Sequence, residues 1–415
     1  MLALLVGGIE KLAAGELPDL GVRVRRMGAE GLEAALAAAI ADERPETVLD
    51  LSDEPVLGYR ERMRVAAVVL ASRAVYEGAD FRLTPPAEDP APEGLPTIAV
   101  FGTGKRTGKT AIGGEVARTA VAMGLTPVVV AMGRGGPSEP QVVEAGTMTL
   151  DRLLELARSG GHAASDYLED AIMSGVTTVG ARRAGGGLAG APYVSNVREA
   201  VAVARERGPD LLVLEGSGAA LPPVTWDAGV LVVPATCPLE YLAGYLGPYR
   251  LLRADLAVVT MAGSPVPGPE DPSAVIAHLR RALGGTRVIV TDFVPSPLGD
   301  VTARDVFLVS TASDAVVALK VRHLEAEYGC RVVGWSGRLA DRAGLAEDLD
   351  RAPSYDVLLT ELKAAAIDVA SERALLRGAE VVFMDNRAVV VDGPTDLTAA
   401  LHTTIDLAIA RGSER

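Results

Sequence analysis

A continuous apolar stretch that runs into a glycine-rich turn and then into a helical pattern constrains this chain more than any other feature. Residues 97–101 are predicted to form a buried strand, residues 102–108 the turn, and a helix is predicted to begin at Lys109. Backbone N–H groups in such a turn, together with the start of the helix, cradle phosphate oxygens. At this spacing Lys109 would reach the terminal phosphates of a nucleotide, and the Thr110 hydroxyl would bind Mg²⁺.

The loop departs from the strict pattern G-x-x-x-x-G-K-[ST] at its first position, where Thr103 stands and Gly102 precedes it by one residue. A chance match is the alternative, but a strand and a helix flank the loop on the correct sides. We predict nucleotide binding by the loop residues Gly102, Thr103, Gly104, Lys105, Arg106, Thr107, Gly108, Lys109 and Thr110.

Strands and helices alternate along most of the chain. After the loop, apolar strands are predicted at 126–131, 210–214, 229–233 and 256–260, and later at 306–309, 331–333, 356–360, 381–384 and 388–391. Helices are predicted at 31–42, 60–76, 109–123, 148–158, 165–174, 196–207, 239–252, 273–283, 313–328, 364–377 and 394–411. Continuous apolar strands between helices are typical of a parallel sheet covered on both faces.

The predicted fold class is therefore α/β, with a mostly parallel sheet in a central P-loop NTPase domain. A proline-rich stretch at 85–96 indicates a boundary before the loop. We predict three segments: an N-terminal α/β domain at 1–94, the P-loop NTPase domain at 95–300 and a C-terminal α/β domain at 301–415.

Composition excludes several classes of partner. The formal net charge is −14, and a chain this acidic lacks the basic face that nucleic-acid binding requires. No apolar run reaches the roughly 18 residues of a membrane helix, and the N-terminus has no basic leader, so we expect a cytoplasmic protein without membrane contact. Cys237 and Cys330 lack the spacing of a metal-thiolate site.

Two candidate residues follow strands at the edge where parallel sheets bind ligands. Glu215 ends a predicted strand and precedes the turn Gly-Ser-Gly, so its carboxylate is positioned to hold Mg²⁺; an ordinary turn residue is the alternative. Arg134 lies among glycines after another strand and is predicted to contact a phosphate; a solvated arginine is the alternative.

Three further cations are candidates for binding an anionic substrate. Arg182 and Arg183 precede a run of three glycines, which predicts a basic lid over an anion, with a plain surface loop as the alternative. Lys363 follows the predicted strand 356–360 and is expected to contact substrate or nucleotide, with a local ion pair as the alternative.

The loop spacing and the sequence Leu-Glu-Gly-Ser-Gly at 214–218 resemble dethiobiotin synthetase. With Gly-Arg-Gly-Gly-Pro at 133–137, the combination resembles the cyclic 2,3-diphosphoglycerate synthetase family, most specifically over 97–140 and 211–223. That resemblance implies ring closure of 2,3-diphosphoglycerate with ATP and Mg²⁺, giving the cyclic product, ADP and phosphate. A substrate so anionic beside ATP requires neutralisation of charge, so we expect Lys109, Lys105 and Arg134 to act in catalysis, and we expect a homodimer.

Two other functions fit the motifs. A carboxylate ligase similar to dethiobiotin synthetase would explain the middle segment, although it leaves the outer two without a role. A nucleotide-binding regulatory switch of the partition-protein type would hydrolyse nucleotide slowly, without response to a small acid.

Overall fold

The computed structural model describes residues 1–7, 19–266 and 268–415. The described chain divides into two compact units. The smaller unit contains Met1–Ala87, Gly187–Ala191 and Pro238–Ala254, and the larger unit contains Glu88–Gly186, Pro192–Cys237 and Asp255–Arg415. The three segments expected at 1–94, 95–300 and 301–415 stay a prediction.

The described residues of the smaller unit form two small sheets. Its strands are β1 (Leu2–Leu5), β2 (Arg23–Arg26), β3 (Thr47–Leu49), β4 (Val75–Glu77) and β5 (Arg82–Leu83). β1 pairs with β2 and β3 with β4 in parallel, while β4 and β5 are antiparallel. The helices are Leu32–Glu43, Tyr59–Ala71, Glu240–Ala243 and Gly247–Leu252.

Two predicted helices in this unit are longer than the helices that the structure shows. The helix expected at 60–76 ends at Ala71, because Arg73 takes a left-handed backbone conformation with φ 65° and the chain turns into β4. The helix expected at 239–252 is interrupted by Gly244, whose backbone is extended. Both interruptions are local backbone events that apolar periodicity does not reveal.

The larger unit is built on one sheet that contains thirteen strands in the described residues. They are β6 (Thr97–Gly102), β7 (Pro127–Gly133), β8 (Gln141–Val143), β9 (Thr178–Ala184), β10 (Val194–Ser195), β11 (Leu211–Glu215), β12 (Ala228–Pro234), β13 (Leu256–Thr260), β14 (Val288–Pro297), β15 (Asp305–Val309), β16 (Arg331–Ser336), β17 (Val357–Thr360) and β18 (Glu380–Asp392). Their order is β10-β9-β7-β11-β6-β12-β13-β14-β18-β17-β15-β16, with β8 also paired to β9.

Helices accompany the strands of this sheet. They are Lys109–Ala122, Leu150–Arg158, Asp166–Ser174, Val197–Arg205, Pro272–Leu283, Asp314–Tyr328, Arg342–Asp350, Glu372–Leu376 and Leu397–Glu414, with a 3₁₀ turn at Gly285–Arg287 and a π-helical turn at Ala366–Ser371. Every residue of β6, β7 and β11 is buried, as expected of parallel strands covered on both faces. The structure confirms the predicted α/β fold with a mostly parallel sheet.

The structure corrects two local predictions in the larger unit. Arg182 and Arg183 lie on β9, which pairs in parallel with β7, and so they belong to the sheet and not to a lid. The strands expected at 381–384 and 388–391 are one strand, β18. β18 continues because its first four residues pair with β17 and its later residues with β14.

Candidate active site

The loop between β6 and the helix Lys109–Ala122 depends on two glycines. Gly108 takes a left-handed conformation with φ 90°, and a Cβ there would lie 2.5 Å from the Phe293 ring. A Cβ on Gly102 would lie 2.9 Å from the carbonyl oxygen of Val232 on the neighbouring strand. The backbone can therefore make this tight turn only without side chains at these positions.

The loop's lysine lies inside the turn. Lys109 Nζ donates to the carbonyl oxygen of Gly104 at 2.7 Å and to Thr107 Oγ1 at 3.2 Å. Burial lowers the pKa of Lys109 to about 8, although the negative charges of Glu215 and Asp166 oppose this shift. The ammonium therefore lies where a loop-bound phosphate would neutralise it.

Glu215 ends β11 and is buried against the helix of the loop. A Cβ placed on Gly113 would overlap its Oε1 atom, so the carboxylate lies directly on the helix backbone. Thr110 is one turn earlier on the same helix, and residues three apart share a helix face. Burial and the charge of Asp166 raise the pKa of Glu215, whereas Lys109 opposes the shift.

Sequence reasoning missed an acidic helix beside this pair. Asp166, Glu169 and Asp170 lie on the helix Asp166–Ser174, and Asp166 Oδ2 is 3.2 Å from the position that a Cβ of Gly133 would take. Burial raises the pKa of Glu169 to about 7. The signal was present in the sequence, because acids at i, i+3 and i+4 share one helix face.

Asp170 has an unusual environment. The residue is 4 % exposed, and its carboxyl group is paired with that of Glu215, with no other hydrogen-bond partner in the described part of the chain. Burial and the charge of Glu215 raise its pKa well above the ordinary value. Two buried carboxyl groups this close cannot both ionise without a compensating cation.

Arg183 joins β9 to the turn after β11. Its guanidinium donates to the carbonyl oxygen of Ser217 at 2.7 Å and to that of Gly185 at 2.7 Å. Within the described residues its buried Nε has no hydrogen-bond partner. A Cβ on Gly218 would lie between this guanidinium and Lys105, at 3.0 Å from Arg183 Nη2 and 3.7 Å from Lys105 Cγ. The structure therefore brings Arg183 and the loop lysine Lys105 to one turn.

Arg134 adds a second guanidinium on this side of the site. Its charge lowers the pKa of Arg183, after the larger effect of burial. Arg134 and Lys105 are exposed, and neither has a carboxylate partner in residues 1–7, 19–266 and 268–415. The negative charge of Asp166 acts on Arg183 and partly offsets the repulsion from Arg134. Exposed cations without a carboxylate partner attract anions.

The remaining two predicted cations have protein partners. Arg182 is exposed, and its Nε donates to the carbonyl oxygen of Gly136, in the turn that follows Arg134. Lys363 Nζ forms an ion pair with Glu169 Oε1 at 3.2 Å, which is the alternative that the sequence left open.

In the described chain, no group of three or more His, Cys, Asp or Glu side chains has the arrangement of a metal site made by protein ligands alone. A cavity of about 610 Å³ lies at β15 and β16, and no predicted site residue lines it. In the same described residues, no helix has the length and apolar character needed to cross a membrane.

Sequence models for three domains of cyclic 2,3-diphosphoglycerate synthetase match this chain. The N-terminal domain matches residues 1–84, the P-loop domain residues 97–291 and the C-terminal domain residues 297–387. The chain belongs to the cyclic 2,3-diphosphoglycerate synthetase family. It is therefore an enzyme with a nucleotide-binding P-loop domain, and the resemblance read from 97–140 and 211–223 is confirmed.

Several relatives named cyclic 2,3-diphosphoglycerate synthetase are similar to this chain over most of its length. The cyclic 2,3-diphosphoglycerate synthetase of Rubrobacter xylanophilus is 48 % identical over 386 residues, which cover 92 % of this chain and 86 % of the relative. That of Methanothermobacter thermautotrophicus is 44 % identical, covering 88 % of this chain and 79 % of the relative. Among solved structures, the hydrogenase maturation factor HypB from Archaeoglobus fulgidus covers 48 % of this chain and 82 % of its own, at 16 % identity and a TM-score of 0.31.

Proposed function

We propose that this enzyme closes the intramolecular pyrophosphate ring of 2,3-diphosphoglycerate with ATP, giving cyclic 2,3-diphosphoglycerate, ADP and phosphate. The observation that carries the proposal is the group of cations beside the phosphate loop. Lys105 and Arg134 have no carboxylate partner in the described part of the chain, and Arg183 lies beside both. Such a surface suits a substrate with two phosphates placed next to the phosphates of ATP.

ATP would be held by the loop residues 102–110. The backbone N–H groups of the loop and the N-terminus of Lys109–Ala122 would bind the phosphates, and Lys109 would neutralise the terminal ones. The site's carboxylates support a divalent cation there, because the acids outnumber the nearby lysines. The acids are the buried Asp170 and Glu215, the partly buried Glu169 and the exposed Asp166, and the lysines are Lys109 and Lys363.

Thr110 and Glu215 would hold Mg²⁺, and Asp166 is the further candidate that the structure adds. Thr110 and Asp166 lie at the starts of two helices, and Glu215 lies at the end of β11. Oxygen ligands of this kind are those that Mg²⁺ prefers, and it usually keeps several waters besides. When bound, Mg²⁺ would withdraw charge from the phosphates of ATP.

The reaction requires two displacements at phosphorus. First, an oxygen of one substrate phosphate attacks the γ-phosphorus of ATP, and the bond to the bridging oxygen breaks to release ADP. Second, an oxygen of the other substrate phosphate attacks the substrate-side phosphorus of the new pyrophosphoryl group. The ring closes, and the transferred phosphoryl group leaves as inorganic phosphate.

Both nucleophiles are anions, so neither displacement needs a general base. What the protein must supply is neutralisation of charge and in-line positioning. Lys109, Lys105 and Arg134 are proposed to stabilise the transferring phosphoryl group, and the positive charge of Arg183 to attract a substrate phosphate. Arg182 would support the turn that carries Arg134.

³¹P NMR of the purified protein with ATP, Mg²⁺ and 2,3-diphosphoglycerate tests this function. We expect new pyrophosphate resonances from the ring, in step with equal amounts of ADP and phosphate, and none of them with Lys109→Ala. ADP and phosphate formed at a rate that the acid does not change would support the regulatory switch. Consumption of ATP only with other carboxylic acids would support a carboxylate ligase. That the protein is a cytoplasmic homodimer stays a prediction, which light scattering tests for the oligomeric state.

A further inference from the structure

The acidic helix Asp166–Ser174 is held at both ends by cations from other elements. At its C-terminal end, Arg118 Nη1 donates to the carbonyl oxygen of Met173 at 2.8 Å. In its first turns, Lys363 Nζ pairs with Glu169 Oε1 at 3.2 Å. The buried residues Tyr167, Leu168, Ala171 and Met173 pack this helix into the core, and the two polar contacts add to that packing in fixing where Asp166 lies at its start.

Lys363 lies two residues after Glu361, and its backbone N–H donates to the carbonyl oxygen of Glu361 at 3.0 Å. The Glu361 carboxylate accepts hydrogen bonds from Ser310 Oγ at 2.8 Å, Thr311 Oγ1 at 2.9 Å and Lys320 Nζ at 3.1 Å. Burial opposes its ionisation, but the charges of Lys320 and Lys363 outweigh that effect and lower the pKa of Glu361 to about 2. The segment that carries Lys363 is therefore anchored to the ends of β15 and β17.

The helix Asp166–Ser174 connects the ion pair between Lys363 and Glu169 to the candidate active site. Glu169 is three residues after Asp166, so the two side chains lie on the same face, one turn apart. Asp166 in turn acts electrostatically on Lys109, Glu215 and Arg183. Any shift of Glu169 would move Asp166 relative to the phosphate loop.

We propose that Lys363 is a positioning residue, which fixes Glu169 and thereby holds Asp166 beside Lys109 and Glu215. Lys363 thus acts on the nucleotide site through the acidic helix and does not itself bind substrate. The inference rests on the proposed nucleotide and Mg²⁺ site, and it assigns to the C-terminal part of the larger unit a role in building that site.

The test is the Mg²⁺ dependence of nucleotide binding, measured with a fluorescent ATP analogue on the full-length protein. Loss of a partner that orients a metal ligand typically costs 10- to 100-fold in metal affinity, so Lys363→Met should raise the half-saturating Mg²⁺ concentration by about 10-fold or more. Lys363→Arg keeps the charge and should restore most of the loss. Thermal unfolding without Mg²⁺ checks that each variant folds.

A double variant separates positioning from direct binding. If Lys363 acts only through Glu169, Lys363→Met with Glu169→Gln should bind no worse than the more impaired single variant, because both remove one contact. Effects that multiply would overturn the proposal. Arg158→Met is the matched control, since it removes the exposed ion pair with Glu372 at 3.1 Å and should leave Mg²⁺ dependence unchanged.

The outcomes for this inference and for the proposed function differ. An unchanged Mg²⁺ requirement in Lys363→Met, with wild-type protein binding nucleotide normally, overturns the positioning role alone, even if the variant unfolds at a lower temperature. Wild-type protein that shows no Mg²⁺-dependent nucleotide binding overturns the proposed function, and the positioning role with it.

Discussion

The carboxylate of Glu215 lies directly on the backbone of Gly113, so closely that any Cβ at residue 113 would overlap its Oε1 atom. The helix of the phosphate loop and the end of β11 therefore meet at a point where only glycine fits. Since Glu215 is buried, it has little room to move away. A residue without a side chain thus helps to set the position of a candidate metal ligand.

Gly113→Ala should impair the enzyme through Glu215. The new methyl group would displace the carboxylate, and we expect kcat/KM to fall and the Mg²⁺ requirement to rise by about 10- to 100-fold. Gly285→Ala is the control, because Gly285 is exposed and nothing lies within 4 Å of the position its Cβ would take. Replacing glycine by alanine at a compatible position stabilises a protein by roughly 0.4–1 kcal/mol, so the control should fold at least as stably. Equal kinetic effects of the two substitutions would contradict this account.

Glu215→Gln should weaken the site for Mg²⁺ and keep the fold. The amide has the same shape but lacks the charge that attracts the cation, so turnover should fall and the Mg²⁺ titration of activity should move to higher concentration. Burial makes the ionised form of Glu215 costly, and the neutral amide avoids that cost. Thermal unfolding without Mg²⁺ should therefore occur at an equal or higher temperature. An unchanged Mg²⁺ titration at full activity would make Glu215 a turn residue only.

Nucleotide binding above pH 8 should take up protons at Lys109. Burial lowers the pKa of this lysine to about 8 from an ordinary 10.5, so the free protein loses the charge as pH rises through 8. Bound phosphates favour the protonated form, so the affinity for ATP should fall with rising pH. Calorimetry at about pH 8.5 in two buffers of different ionisation enthalpy measures the uptake. Lys109→Arg, which stays charged, should abolish it, and equal uptake by both proteins would exclude Lys109 as the source.

Arg134→Lys should weaken 2,3-diphosphoglycerate much more than ATP. The guanidinium can make two short, charge-assisted bonds to one phosphate, and a lysine cannot reproduce that geometry. The expected loss is about 1.5–3 kcal/mol, the range for a hydrogen bond to a charged group. Arg207→Lys, at a surface ion pair with Glu144, should change neither affinity. If ATP weakens and the acid does not, Arg134 belongs to the nucleotide site.

The strands that form the centre of the sheet were predictable because they are uninterrupted apolar runs between helices. The loop 102–110 and Glu215 were also predictable, since each is tied to a strand end by spacing. β9 was missed, because two arginines and a glycine lower its apolar character. Its burial comes from neighbouring strands, and a carbonyl oxygen of the turn after β11 accepts a hydrogen bond from the buried Arg183.

The acidic helix shows why contacts distant in sequence limit such reasoning. Nothing near residue 169 indicates that its partner is Lys363, almost two hundred residues later. The pairing arises only when β18 places the C-terminal strands in the same sheet as the phosphate loop. The position of Lys363 after the predicted strand 356–360 made it a candidate site residue, but the sequence could not supply its partner Glu169.

The pairing of β14 with β18 affects whether the P-loop and C-terminal domains can be produced as separate fragments. The matched P-loop and C-terminal domains meet between residues 291 and 297, inside the ten-residue strand β14. A fragment that ends there would divide a strand, and one that ends at Pro297 would expose β14 as a long unpaired edge. Such edges recruit other chains and promote aggregation. We therefore expect that the matched P-loop and C-terminal domains of this chain cannot be separated into stable fragments.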